Sequence, residues 1–96
     1  MSAFLIATAK VKDPEKFQEY GQKAGGTLAP HGGELLLRGL KDSVLAGDVD
    51  HQTVGVIKFP NQDALMAWFH SDAYQMIVPL RDKAAEMTIV TYSEPD

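Results

Sequence analysis

The sequence contains no cysteine and no excess of basic residues. Among its 96 residues, 9 lysines and arginines stand against 13 aspartates and glutamates, which gives a formal net charge of −4. Without cysteine the chain has no disulfide, no thiolate nucleophile and no cysteine ligands for zinc or iron–sulfur clusters. The basic residues are also scattered singly, so the sequence lacks the basic patch typical of nucleic-acid-binding proteins, and we expect no nucleic-acid partner.

Long hydrophobic runs are absent as well. No stretch approaches the roughly 18 apolar residues that a membrane-spanning helix needs. The apolar run at residues 3–9 is short and has no basic region before it, so it differs from a secretory signal peptide. We therefore expect a cytoplasmic protein with no membrane partner, and the chain length predicts a single domain over residues 1–96.

The predicted elements alternate as β-α-β-β-α-β. Apolar, β-branched runs predict strands at residues 3–11, 34–39, 53–59 and 86–94, with a further extended piece at 44–47. This order is typical of an α+β, ferredoxin-like fold, in which two helices cover one face of a four-stranded antiparallel sheet.

Capping residues predict where the helices begin and end. Asp13 followed by Pro14 is typical of a helix N-terminus. Ser71 is a second N-cap inside the later helical region, so we expect that region to break and restart there. Pro79 lacks a backbone donor and is expected to kink or fray the helix predicted at residues 73–85.

Both faces of the predicted sheet are apolar. In the first strand Phe4 and Ile6 alternate with Leu5 and Ala7, and the later strands show a similar pattern. The helices of one chain can cover only one face, and a large exposed apolar patch on a monomer requires an explanation. A second copy packed face to face would cover it, so we expect a symmetric homodimer through the sheet.

A guanidinium is predicted on the apolar stripe of the last helix. At about 100° per residue, Arg81 comes within about 20° of Tyr74 around the helix axis. Burying a charge is costly, so this arginine needs a partner. Its head could reach the rim and pair with a helix carboxylate such as Glu19. Alternatively, Arg38 on the second strand and Arg81 could border one cleft and bind a small anion.

Other residues could complete such a site. Tyr20, Trp68 and Tyr74 lie on the apolar stripes of their helices and could line a ligand-binding cleft, although such residues are also common in cores. His31 lies beside two glycines and could act as an acid or base, or could be an exposed turn residue. The three histidines are far apart in sequence, so we predict no metal site and no cofactor.

Several segments together resemble a known family. In order and spacing, the chain is similar to the domain of unknown function 1330 family, within the dimeric α/β barrel superfamily, at "DPEKFQEY", "HGGELLLRG", "IKFPNQDALMAWFHSDAYQ" and "LRDKAA". By this resemblance the family's motif positions fall on Asp13, Tyr20, Gly32, Gly33, Arg38, Gly39, Phe59, Trp68, Tyr74 and Arg81. The chain departs from the family pattern at Leu40, often a glycine, and at Ala46, often an acidic residue.

The resemblance implies a ferredoxin-like dimer and, from the wider superfamily, chemistry such as monooxygenation, isomerisation or decarboxylation in a cleft between sheet and helices. In such an enzyme Arg38 and Arg81 would hold a small anionic organic molecule and His31 would move a proton. The same cleft could serve a binding module without catalysis, or the protein could be a purely structural dimer. Some members of the superfamily bind haem, but no histidine here is placed to ligate it. The sequence leaves open whether the protein is an enzyme.

Overall fold

The computed structural model describes residues 1–95 and shows one antiparallel sheet. Its four strands, in the spatial order β2-β3-β1-β4, are β1 (Ala3–Val11), β2 (Glu34–Leu40), β3 (Thr53–Phe59) and β4 (Ala85–Ser93). The helices are α1 (Pro14–Gly25), α2 (Gln62–Phe69), α3 (Asp72–Gln75) and α4 (Val78–Ala84), with one 3₁₀ turn at Ala29–His31. The predicted ferredoxin-like α+β fold is confirmed.

The predicted caps begin the helices where expected. The Asp13 carboxylate accepts a hydrogen bond from the Lys16 backbone N–H at 3.1 Å, and the Ser71 hydroxyl accepts one from the Tyr74 N–H at 3.2 Å. Pro79 lies in the first turn of α4, where a missing N–H breaks no helical bond. The segment predicted as one kinked helix is therefore two short helices, α3 and α4. Within residues 1–95, no helix is long and apolar enough to cross a membrane.

The prediction of an extended piece at residues 44–47 is wrong. The chain between β2 and β3 forms bends and irregular loop, and Leu45 is 97% exposed. Gly47 adopts a φ of 81°, in the left-handed region, which turns the chain out of an extended conformation. β2 instead extends one residue further than predicted, to Leu40.

The two faces of the sheet have different surroundings. Leu5 points toward the helices and is buried, whereas its neighbour Ile6 points to the opposite face. On that opposite face Ile6 lies beside Val56 and Val90, and Val56 lies beside Leu37, so one apolar row crosses all four strands. Leu37 is 69% exposed and Val90 is 42% exposed. This row is called the outer apolar row below.

The core lies between the helices and the sheet. Its largest fully buried side chains come from every layer of the fold, namely Leu5, Phe59, Leu65, Trp68 and Tyr74. Helix α1 packs against α4, while α2 packs on β1 and β3. The part of the sheet beneath α1 is the part that the core does not fill.

Candidate functional site

A cavity of about 440 Å³ lies between α1 and the sheet. Small residues create it: Gly21 and Gly25 on the helix, and Ala7, Ala9 and Gly55 on the strands. A Cβ atom built on Gly21, Gly25 or Gly55 would meet no atom within 4 Å, so the space is open next to each glycine. The sequence interpretation did not identify these residues. In the sequence they could have been found from the recurrence of glycine and alanine on the face of α1 and on the strands that face it.

The cavity is largely apolar, with few polar groups. Arg38 on β2 reaches it beside Gly55, and Thr53 and Tyr20 also line it. Among the described residues, no acidic side chain lies within 4 Å of the Arg38 guanidinium. The lining contains no aspartate, glutamate, lysine or histidine. Among the described residues that line the cavity, Arg38 alone carries a formal charge, and this charge is positive.

Trp68 lines the same cavity but does not offer it a hydrogen-bond donor. Its indole Nε1–H donates to the Thr27 hydroxyl at 2.8 Å. The Thr27 hydroxyl in turn donates to the Ala24 carbonyl at 2.6 Å, which ties α2 to the end of α1. Trp68 therefore supplies an apolar surface, and its position is fixed by this pair of bonds.

Two buried tyrosines and one arginine form a hydrogen-bonded chain. The Arg81 Nη1–H donates to the Tyr74 hydroxyl at 3.1 Å, and the Tyr74 and Tyr20 hydroxyls are 2.8 Å apart. Burial raises the pKa of Tyr20, and Tyr74 raises it further. Burial alone would lower the pKa of Arg81, but its bonds to Tyr74 and Asp82 outweigh that effect and raise it. Both phenol and guanidinium thus keep their protons at neutral pH.

The structure places the predicted site residues in two layers. Tyr20, Trp68 and Arg38 line the cavity, whereas Tyr74 and Arg81 do not. Tyr74 is fully buried behind Trp68, with ring centroids 4.4 Å apart. Arg81 borders an adjoining hollow beside α2 and β4, which shares Leu5, Met87 and Ile89 with the cavity but does not include Arg38.

Arg81 pairs with a helix carboxylate, as one of the two alternatives predicted, but the partner is Asp82 and not Glu19. Glu19 pairs with Lys23 at 3.1 Å, four residues along the same helix. Arg81 Nε instead donates to the neighbouring Asp82 carboxylate at 3.2 Å. Its side chain is only 19% exposed, and its Nη1–H donates to the Tyr74 hydroxyl.

His31 ends the 3₁₀ turn and does not line the cavity. The next residue, Gly32, has a φ of 73°, which turns the chain into β2. Within residues 1–95, no three histidine, aspartate or glutamate side chains come close enough together to hold a metal ion.

Solved structures share this fold at low sequence identity. RPA0582, a protein of unknown function from Rhodopseudomonas palustris, has a TM-score of 0.82 and 16% identity, covering 99% of this chain and 83% of that one. SnoaB, a cofactor-independent oxygenase from Streptomyces nogalater, has a TM-score of 0.73 and 11% identity, covering 99% and 94%. A dimeric ferredoxin-like protein of unknown function from Thermobifida fusca has a TM-score of 0.63 and 12% identity, covering 98% and 92%.

These likenesses are to the fold alone, and no curated protein matches the sequence. The family match is closer and covers almost the whole chain. The model of the family Domain of unknown function (DUF1330) matches residues 2–94, and the protein belongs to this family.

Proposed function

We propose that this protein binds a small organic anion in the cavity between α1 and the sheet. The observation that supports this is Arg38, a guanidinium without an acidic partner among the described residues, at the border of an apolar cavity. A carboxylate with an apolar body matches both features, because guanidinium groups bind carboxylates through paired hydrogen bonds and the cavity walls exclude water from the body.

The proposed reaction is a conversion of that anion without a bound cofactor. SnoaB, which shares the fold, is a cofactor-independent oxygenase, so a ferredoxin-like protein of this size can support such chemistry. In this chain Arg38 would hold the anionic group while Tyr20 and Trp68 shape the cavity. His31 is retained as a proposed acid or base, although reaching a ligand would require its loop to approach the cavity.

A binding module without catalysis is the second candidate. No described residue that lines the cavity has an ordinary pKa near neutrality, so the site lacks a general base. The two candidates differ at His31. Once a binding acid is known, its mass change and the uptake of dioxygen are measured with wild type and His31→Ala. Turnover that stops in the variant favours the enzyme, and binding without turnover in both favours the module.

A thermal-shift screen tests the anion site directly. Aryl and aliphatic carboxylic acids are compared with their matched neutral amides, because a ligand that prefers the native state raises the unfolding temperature by mass action. The acids should raise the midpoint and the amides should not. Equal shifts by each acid and its amide would contradict a role for Arg38. No shift across the whole panel would favour a purely structural dimer.

We also propose that the protein is a homodimer through the outer apolar row. The dimeric neighbour from Thermobifida fusca supports a dimer, and the row of Leu37, Val56, Ile6 and Val90, exposed at Leu37 and Val90, gives it a surface. Phe4 and Tyr92 extend the apolar surface by stacking with centroids 5.2 Å apart. A second copy would remove this surface from water on both chains.

A charged substitution in the centre of the row tests the dimer. Ile6→Asp places a carboxylate where the proposed interface is dry, and desolvating that charge without a partner should prevent association. Met76→Asp is the matched control, since Met76 is 79% exposed at the end of α3. Sedimentation velocity at micromolar concentration should show a monomer for Ile6→Asp and a dimer for Met76→Asp. A wild-type protein that sediments as a monomer would overturn the proposed interface.

A further inference from the structure

The chain of hydrogen bonds from Arg81 to Tyr20 leaves one phenolic proton without an acceptor. Arginine only donates, so the Tyr74 oxygen accepts from Arg81. Tyr74 and Tyr20 carry two hydroxyl protons between them, and the single bond joining their oxygens uses one. Within the described residues, neither hydroxyl has any other hydrogen-bond partner. The remaining proton therefore has no acceptor among the described residues.

The burial of the two rings decides which proton remains. Tyr74 is fully buried and does not line the cavity, whereas Tyr20 lines it. If Tyr20 donated to Tyr74, the Tyr74 proton would be enclosed in the core without an acceptor, which is costly. If Tyr74 donates to Tyr20, the proton left over belongs to Tyr20, which is the one residue of this pair that lines the cavity. The second direction places the unpaired donor on Tyr20, which lines the cavity, and not on the fully enclosed Tyr74.

Resting on the proposed function, we infer that the Tyr20 hydroxyl is the hydrogen-bond donor of the cavity and holds an uncharged oxygen of the ligand, such as a ketone carbonyl. Arg38 would hold the anionic group of the same molecule, so the ligand class is a keto acid with an apolar body. Tyr74 and Arg81 are positioning residues, because the Arg81 donor directs the Tyr74 proton toward Tyr20. Successive bonds in such a chain also polarise one another.

The direction of the bond can be measured without any ligand. In wild-type protein labelled with ¹³C at tyrosine Cζ, the hydrogen/deuterium isotope shift of each Cζ reports how fast its own hydroxyl proton exchanges with solvent. The Tyr74 proton, held between two phenols, should exchange slowly, and the Tyr20 proton should exchange fast through the cavity. Slow exchange at Tyr20 with fast exchange at Tyr74 would overturn the inference.

Binding selectivity provides the second measurement. The probes are 4-oxo-4-phenylbutanoate and 4-phenylbutanoate, which share a carboxylate and a ring and differ only in the ketone. One net hydrogen bond should make wild type bind the keto acid about 3- to 10-fold more tightly by calorimetry. Tyr20→Phe should bind both acids equally. The control Tyr92→Phe, on the opposite sheet face, should keep the wild-type ratio.

The positioning role is tested by the same ratio. Tyr74→Phe should reduce the preference for the keto acid while leaving the affinity for 4-phenylbutanoate unchanged, a split that a general loss of structure would not produce. Equal binding of the two acids by wild type would overturn the donor role of Tyr20 and leave the anion site standing. If neither acid bound wild type, the proposed function would be contradicted, and the proton-exchange result would still decide the direction of the bond.

Discussion

Arg38 and Arg81 provide a matched test, because the structure gives two identical side chains opposite roles. Arg38 is exposed and has no acidic partner among the described residues, so Arg38→Met should change the free energy of unfolding by less than about 0.5 kcal/mol. Arg81 is largely buried and donates to the core hydroxyl of Tyr74. Arg81→Met should therefore cost about 1–2 kcal/mol. For a domain of this size each kcal/mol lowers the unfolding midpoint by about 4–8 °C.

The expected effects on ligand binding are the reverse. Losing a hydrogen bond between a guanidinium and a carboxylate costs about 1.5–3 kcal/mol, so Arg38→Met should weaken 4-phenylbutanoate binding about 10- to 150-fold. Arg81→Met should leave that affinity within about threefold, because Arg81 does not line the cavity. Calorimetry measures the affinities, and scanning fluorimetry at one fixed protein concentration measures the midpoints, since oligomerisation makes them concentration-dependent.

Two results would refute this reasoning. The first is an Arg38→Met protein that binds the acid as tightly as wild type. The second is an Arg81→Met protein that loses the acid while its unfolding midpoint stays unchanged. The second result is what a cleft shared by both guanidinium groups would produce.

Two further predictions concern pH and glycine. Burial raises the pKa of Tyr20, so above about pH 10 this tyrosine ionises in the unfolded chain before it ionises in the folded one. Wild type should therefore lose about 1.4 kcal/mol of stability per pH unit relative to Tyr20→Phe. Urea denaturation from about pH 9 to about pH 11.5 measures this, and a difference in unfolding free energy between the two proteins that stays constant with pH would contradict it. At neutral pH, Gly21→Ala should raise the free energy of unfolding by about 0.8–1 kcal/mol, because its Cβ meets no atom within 4 Å. Gly32→Ala should lower the free energy of unfolding by about 1–2 kcal/mol, since φ is +73° and the Cβ would lie 2.8 Å from Pro60 Cγ. Urea denaturation measures both variants. A loss of stability in Gly21→Ala would contradict the open space next to Gly21.

The fold could be predicted because its signals are local. Apolar, β-branched runs identified the strands, and single capping residues such as Asp13 and Ser71 fixed where helices begin. The prediction of an extended piece at residues 44–47 failed for an equally local reason. Gly47 adopts a left-handed conformation, which the apolar residues before it do not indicate. Apolar composition predicts burial, and these residues are exposed.

The site was only partly predictable, since a cavity depends on what two distant elements fail to fill. Sequence reasoning named Tyr20, Trp68 and Arg38 as candidate ligand contacts, but the space they surround comes from small residues on α1 facing small residues on the sheet. Arg81 was expected near Tyr74 on one helix kinked or frayed at Pro79. The helix breaks between them, yet the two side chains still meet at 3.1 Å because α4 packs back toward the core.

A core built for stability alone would not need the hydroxyls of Tyr20 and Tyr74. Phenylalanine fills nearly the same volume, and replacing both partners of a buried hydrogen bond by apolar groups of the same shape is close to neutral. Burying the two hydroxyls and the guanidinium removes them from water, which costs free energy. Their two hydrogen bonds to one another still leave one hydroxyl proton without an acceptor among the described residues. Better packing does not offset this cost, because phenylalanine would pack equally well. The cost is explained if the last proton of the chain is presented to a ligand in a cavity that offers no acidic side chain to receive it.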